Sequence, residues 1–160
     1  MKKRFEKLGQ IFKRFKIENV CLSPTSSSLS ISYTNYDAEA AWILYVELLT
    51  RIATQPLEEK CGVEKCALDS IYSIFGITRE VLKIYGRNAK SFTKIAIVVL
   101  NQIIRPFTSK WHAQLEAGCF NDEEKCLLFR CELETLRKNL LKYSSLLAEM
   151  ARVDDLTDIH

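Results

Sequence analysis

The chain reads as a mainly α protein: a four-helix up-down bundle with a split second helix, a kinked third helix, an N-terminal β-hairpin and a short basic helix. Three observations predict this. Glycine and proline are scarce, at 5 and 3 residues among 160, which favours long helices over a many-turned β architecture. Apolar residues recur at helical spacing from Asp37 almost to the end, the mark of amphipathic helices. The last such stretch carries Cys126, Phe129, Leu133, Leu136, Leu140, Tyr143, Leu147 and Met150. Its alternating steps of three and four make one heptad seam.

The length fits one domain with one real core. Its expected parts are residues 1–36, a basic helix plus hairpin packed on the body; 37–153, the bundle; and 154–160, a frayed tail. In the first part, Phe5, Leu8, Phe12 and Phe15 fall at helical spacing among lysines and arginines. Leu29, Ile31 and Tyr33 then alternate with Ser30, Ser32 and Thr34, the period of a half-buried strand.

The first main helix is expected over about 37–54, with Ala41, Leu44, Tyr45, Leu48, Leu49 and Ile52 on its inner face and Pro56 ending it. The second is expected to break, into 63–75 and 78–85, because Gly76 suits a helix end and Thr78 a helix start. Gly86 then closes it. The third, about 90–117, holds Pro106, which lacks an N–H and crowds the preceding turn, so a kink near 102–106 follows. Gly118 closes that helix, and the fourth runs over about 121–152.

Charge is unevenly spread. Residues 1–16 hold seven Lys/Arg against one Glu, a net +6, while the remainder is net −3. Lys2, Lys3, Arg4, Lys7, Lys13 and Arg14 therefore make a candidate surface for nucleic acid or an anionic membrane. No apolar run approaches the ~18 residues needed to span a bilayer, and no signal-peptide pattern follows the basic start. A cytoplasmic protein with no transmembrane segment is expected. The six cysteines read as buried reduced thiols. Cys126 and Cys131 would lie about 140° apart around a helix, too far apart to grip one metal, so no metal site is expected.

The third helix is the most informative stretch. Arg105, with Lys94, Asn101, Thr108 and His112 within about 60° of it, draws a polar stripe on an otherwise apolar rod. It is either a solvated face or a groove for an anion or a partner carboxylate, with Arg105 as the fork and His112 as a second donor. Lys110 shares the side of Phe92, Ile95, Val99 and Ile103 in a straight helix. Rotation by the Pro106 kink, snorkelling and a buried functional lysine compete to explain it. Trp111 is either core or an exposed anchor. Arg51 and Gln55, at the end of the first helix, could join Arg105 and His112 in one basic pocket if the helix ends are adjacent.

Enzymatic templates fail one by one. There is no Gly-rich phosphate loop, no Cys-x-x-Cys and no Glu-x-x-His pair, and no cofactor is implied. The segments AWILYVELLTRIATQPL, ALDSIYSIFGITREVL and IAIVVLNQIIRPFTSKWH together resemble a group of small bacterial helical proteins without an established activity. That resemblance carries no catalytic residue, and it implies an accessory role in a multi-gene system such as phage defence. The expected function is a non-enzymatic interaction or accessory protein, with a protein partner or a second copy of itself. The alternatives are nucleic-acid binding through the basic arm, and an enzyme or small-anion sensor around Arg105, Lys110 and His112.

Overall fold

The computed structural model describes residues 33–51, 57 and 64–157. The basic helix, the strands up to Ser32 and Gln55 lie outside the described residues. Thr34–His160 form one compact unit. Every regular element among its described residues is helical.

Helix α1 spans Asn35–Leu49. It starts two residues earlier than its apolar pattern because Thr34 and Asp37 form a capping box: Asp37 N donates to Thr34 Oγ1 (3.1 Å) and Thr34 N to Asp37 Oδ2 (3.0 Å). Its inner face is Ala40, Ala41, Leu44, Tyr45 and Leu48, all buried.

Helix α2 spans Glu64–Tyr85 without a break, so the split expected at Gly76 does not occur. Thr78 is buried in mid-helix rather than capping a second segment. A glycine costs a helix interior only about 1 kcal/mol, and burying Leu68, Ile71, Ile74 and Val81 along one face outweighs it. The turn after Tyr85 does need its glycine: a Cβ on Gly86 would stand 2.4 Å from the Leu82 carbonyl oxygen.

The third rod has three parts: α3 (Lys90–Val98), a π-helical stretch (Val99–Ile104) and α4 (Arg105–Glu116). Where a kink is expected near 102–106, the helix instead widens into a π stretch just ahead of Pro106. The Arg105 N–H bonds to the Leu100 carbonyl, five residues back. A π turn takes in one residue more than an α turn, so everything after it is rotated by one position. The buried set runs Phe92, Ile95, Ala96, Val99, Leu100, then Ile104, Phe107, Thr108 and Trp111. A straight helix would have continued through Ile103, Pro106 and Lys110. Lys110 is therefore exposed, and the reading of it as a buried lysine is corrected.

Gly118, with φ +75°, ends this rod in the left-handed region that favours glycine. A short 3-10 turn, Cys119–Asn121, leads to helix α5, Glu123–Ala151, capped by the Asp122 side chain. Seven of the eight seam residues are buried; Cys126, at the first turn, is half-buried. Each of the four rods touches the others, and α1 has its widest contact with α5.

The tail departs from expectation. The Tyr45 hydroxyl donates to the Asp154 carbonyl oxygen (3.3 Å) and accepts from the Leu156 N–H (2.7 Å). Residues 154–157 are thus held against α1 rather than frayed; 158–160 lie outside the described residues. The cysteine expectation is also corrected in part. Cys66, Cys119, Cys126 and Cys131 are free thiols, but Cys66 and Cys131 are exposed.

Candidate functional site

The stripe on the third rod meets the second helix edge to edge. Tyr72 and Phe75, three residues apart on α2, share one side of that helix, and their rings lie 5.8 Å apart. The His112 imidazole stands edge-on to Tyr72 at 4.9 Å between ring centres. The Arg105 guanidinium sits over the Phe75 ring, 5.3 Å from its centre, within cation–π range. As numbering falls from Phe75 to Tyr72, it rises from Arg105 to His112, so α2 and α4 run antiparallel. The result is a shelf ordered Arg105, Phe75, Tyr72, His112.

The shelf is open. Tyr72 is 53% exposed despite its two aromatic neighbours. Arg105 is exposed; its Nε donates to Asn101 Oδ1 (3.1 Å). Arg79, one turn beyond Phe75 on α2, is exposed too, and its Nε donates to the Phe75 carbonyl oxygen (3.1 Å). Neither guanidinium is in an ion pair among the described residues. His112 Nε2 is shielded and has no hydrogen-bond partner there. Of the remaining stripe residues, Lys94 is exposed, whereas Thr108 is buried and donates its hydroxyl to the Ile104 and Arg105 carbonyl oxygens.

Lys110 and Trp111 face the other way, toward α5. Glu132 takes both: Lys110 Nζ makes an ion pair with it, and Trp111 Nε1 donates to its Oε2 (3.0 Å). Trp111 is fully buried against Phe107, Phe120 and Phe129, with ring centres 6.4, 6.1 and 5.0 Å away. It is core, and the reading of it as an exposed anchor is corrected. The rotation that frees Lys110 is what brings Trp111 inside.

Arg51 donates to Ser73 Oγ (2.6 Å) and pairs with Glu47 (2.8 Å). Ser73 lies about 100° from Tyr72 and about 160° from Phe75 around α2, so Arg51 engages a different side of that helix from Arg105 and His112. Gln55 and the arm residues Lys2, Lys3, Arg4, Lys7, Lys13 and Arg14 lie outside the described residues. No cluster of three or more metal-ligating side chains forms among the described residues.

Sequence reasoning passed over Tyr72, Phe75, Arg79, Glu132 and Asp37, whose second carboxylate oxygen accepts from the Ser91 and Phe92 N–H groups at the start of α3. Only Asp37 carried a local signal, as the fourth residue of a Thr-x-x-Asp box. An exposed helical tyrosine has no signature until its neighbours are known. No family model, curated protein or solved structure matches the chain.

Proposed function

We propose that this protein is a non-enzymatic interaction protein, an accessory component of a bacterial system such as phage defence, and that its contact surface is the shelf between α2 and α4. The observation that carries the reading is an exposed tyrosine set between an imidazole and a phenylalanine–arginine pair. Tyr and Arg are the residues most enriched where binding energy concentrates. The heptad seam and Trp111 lend it no support, since Trp111 and seven of the eight seam residues are buried.

The separation of Lys110 from Arg105 and His112 weighs against an enzyme or small-anion sensor built on all three. Nucleic-acid binding rests on the basic arm alone. We read the four rods as an up-down bundle. Support comes from Asp37 reaching Ser91 at the start of α3, Arg130 pairing with Glu64 (2.8 Å), and the antiparallel Lys110–Glu132 contact. Free exposed thiols at Cys66 and Cys131 suit a reducing cytoplasm.

The test is a tagged pull-down from native cells, with and without nuclease, comparing wild type with the Tyr72→Ala/Arg105→Glu double variant. The expected partner is a protein that survives nuclease and is lost from the variant. Partners that vanish with nuclease would move the function to nucleic acid. A partner retained by the variant would remove the shelf.

A further inference from the structure

We infer that the shelf takes an acidic protein segment, whose backbone crosses α2 at Gly76 and whose carboxylates engage Arg79 and Arg105. This rests on the reading of the shelf as the contact surface.

Three observations lead there. The first is charge. Arg79 and Arg105 are both anchored at Phe75, one on its carbonyl oxygen and one on its ring. Each uses Nε for that local tie or for Asn101, and their terminal nitrogens have no carboxylate among the described residues. Two exposed cations thus stand beside one residue of α2, where a segment carrying carboxylates could engage both. Guanidinium geometry matches a carboxylate through two parallel hydrogen bonds.

The second is Gly76. It lies in the interior of α2, where glycine is unfavourable, and a Cβ built on it would meet nothing within 4 Å. No packing among the described residues calls for a glycine there. It stands one turn from both Tyr72 and Arg79 and next to Phe75, on the side of α2 that carries Tyr72. A bare backbone at that point allows close approach by another chain.

The third is the change of sign along the shelf. Beyond Tyr72 and His112 come the exposed acids Asp69, three residues before Tyr72, and Glu116, one turn past His112. A nucleic-acid strand, uniformly anionic, would meet these carboxylates after leaving the two arginines. A short peptide with acids at one end and an apolar or basic residue at the other meets complementary groups along its whole length, with its apolar side chain against Tyr72.

The experiment is selection of random twelve-residue peptides displayed on phage against the full-length protein, with binding of synthesised winners measured by fluorescence anisotropy. Winners are expected to carry paired Asp/Glu. They should weaken about tenfold or more on Arg79→Glu with Arg105→Glu. Gly76→Leu should weaken them similarly, with the fold checked by circular dichroism. Acid-to-Lys peptides should recover binding on the double-Glu variant. Winners that need Tyr72 but carry no acids, or that tolerate Gly76→Leu, would overturn the inference and leave the shelf standing. Winners indifferent to Tyr72→Ala would overturn the shelf as well.

Discussion

Asp37 shows how much one side chain can hold. One carboxylate oxygen completes the capping box of α1; the other accepts from the Ser91 and Phe92 N–H groups, at 3.0 Å each. Helix α3 has no side-chain cap of its own, since Ala89 occupies that position. N–H groups at the starts of two helices, which have no partner within their own helix, thus converge on one carboxylate, which is 1% exposed. Each lost cap costs about 0.5–2 kcal/mol, so Asp37→Ala, which removes two, is expected to lose about 1–4 kcal/mol in urea unfolding. Asp37→Asn keeps one accepting oxygen and should fall between. A loss within the roughly 0.5 kcal/mol typical of surface changes would show that α3 is held by packing alone. Thiol chemistry gives a second check at this scale. Burial raises the Cys119 and Cys126 thiols, and only the thiolate reacts readily. Among these four cysteines, iodoacetamide should label Cys66 and Cys131 first, as read by peptide mass spectrometry.

The π stretch decides at the element scale which residues of the third rod are inside. Deleting Gln102, which is exposed, would let the rod close as an ordinary α-helix. Ile104, Phe107 and Trp111 would then keep their places relative to Phe92, Ile95 and Val99. With Pro106→Ala added to remove the clash with the preceding turn, the deletion should leave the thermal midpoint within a few degrees of wild type. Deleting Ser109 instead shifts Trp111 off the core without touching the π turn. It is expected to cost at least the 3–5 kcal/mol of a lost buried tryptophan. Equal damage from both deletions would refute the register account. In α2, Gly76→Ala is expected to raise stability by about 0.5–1 kcal/mol, because its Cβ meets nothing among the described residues. These same elements mark how far the sequence could be read. The seam of α5 was legible almost residue by residue, since an uninterrupted 3–4 spacing has only one inner face. In the third rod, Lys110 on a core line signalled a change of register, but a kink and a π turn leave the same local pattern. Gly76 misled because local propensity is weak beside the burial of Ile74 before it and Val81 after it. The shelf was half visible, as Arg105 and His112; its aromatic half came from another helix, and one sequence holds no record of that pairing.

At the scale of the whole molecule, the segment after α5 ties back to α1. Arg152, in the left-handed region at φ 62°, turns the chain out of α5. Asp154 and Leu156 then engage the otherwise buried Tyr45 hydroxyl, and Asp155 accepts from Ser145 and from the Thr157 N–H and hydroxyl. Burial pushes the Asp155 carboxyl up, but these hydrogen bonds outweigh it and hold the group below the usual aspartate range. A carboxyl whose folded-state value is depressed adds stability that is fully present above its unfolded value, near 3.9. That stability is lost as pH falls through the folded value. Glu134, held low by its hydrogen bonds to Arg137, acts in the same direction. The stability these two groups supply is therefore expected to hold from pH 7 down to about pH 4.5 and to fall below it, and Asp155→Asn should make that fall shallower. Removing residues 153–160 strips Tyr45 of both partners. An unsatisfied buried hydroxyl costs about 1–3 kcal/mol, so the truncated chain should melt several degrees lower at pH 7. It should also lack the Asp155 share of the pH dependence. A truncated protein that melts like wild type at pH 7 would mean that water replaces the tail at Tyr45 without loss; the acid dependence would then belong to Glu134 and the other carboxylates.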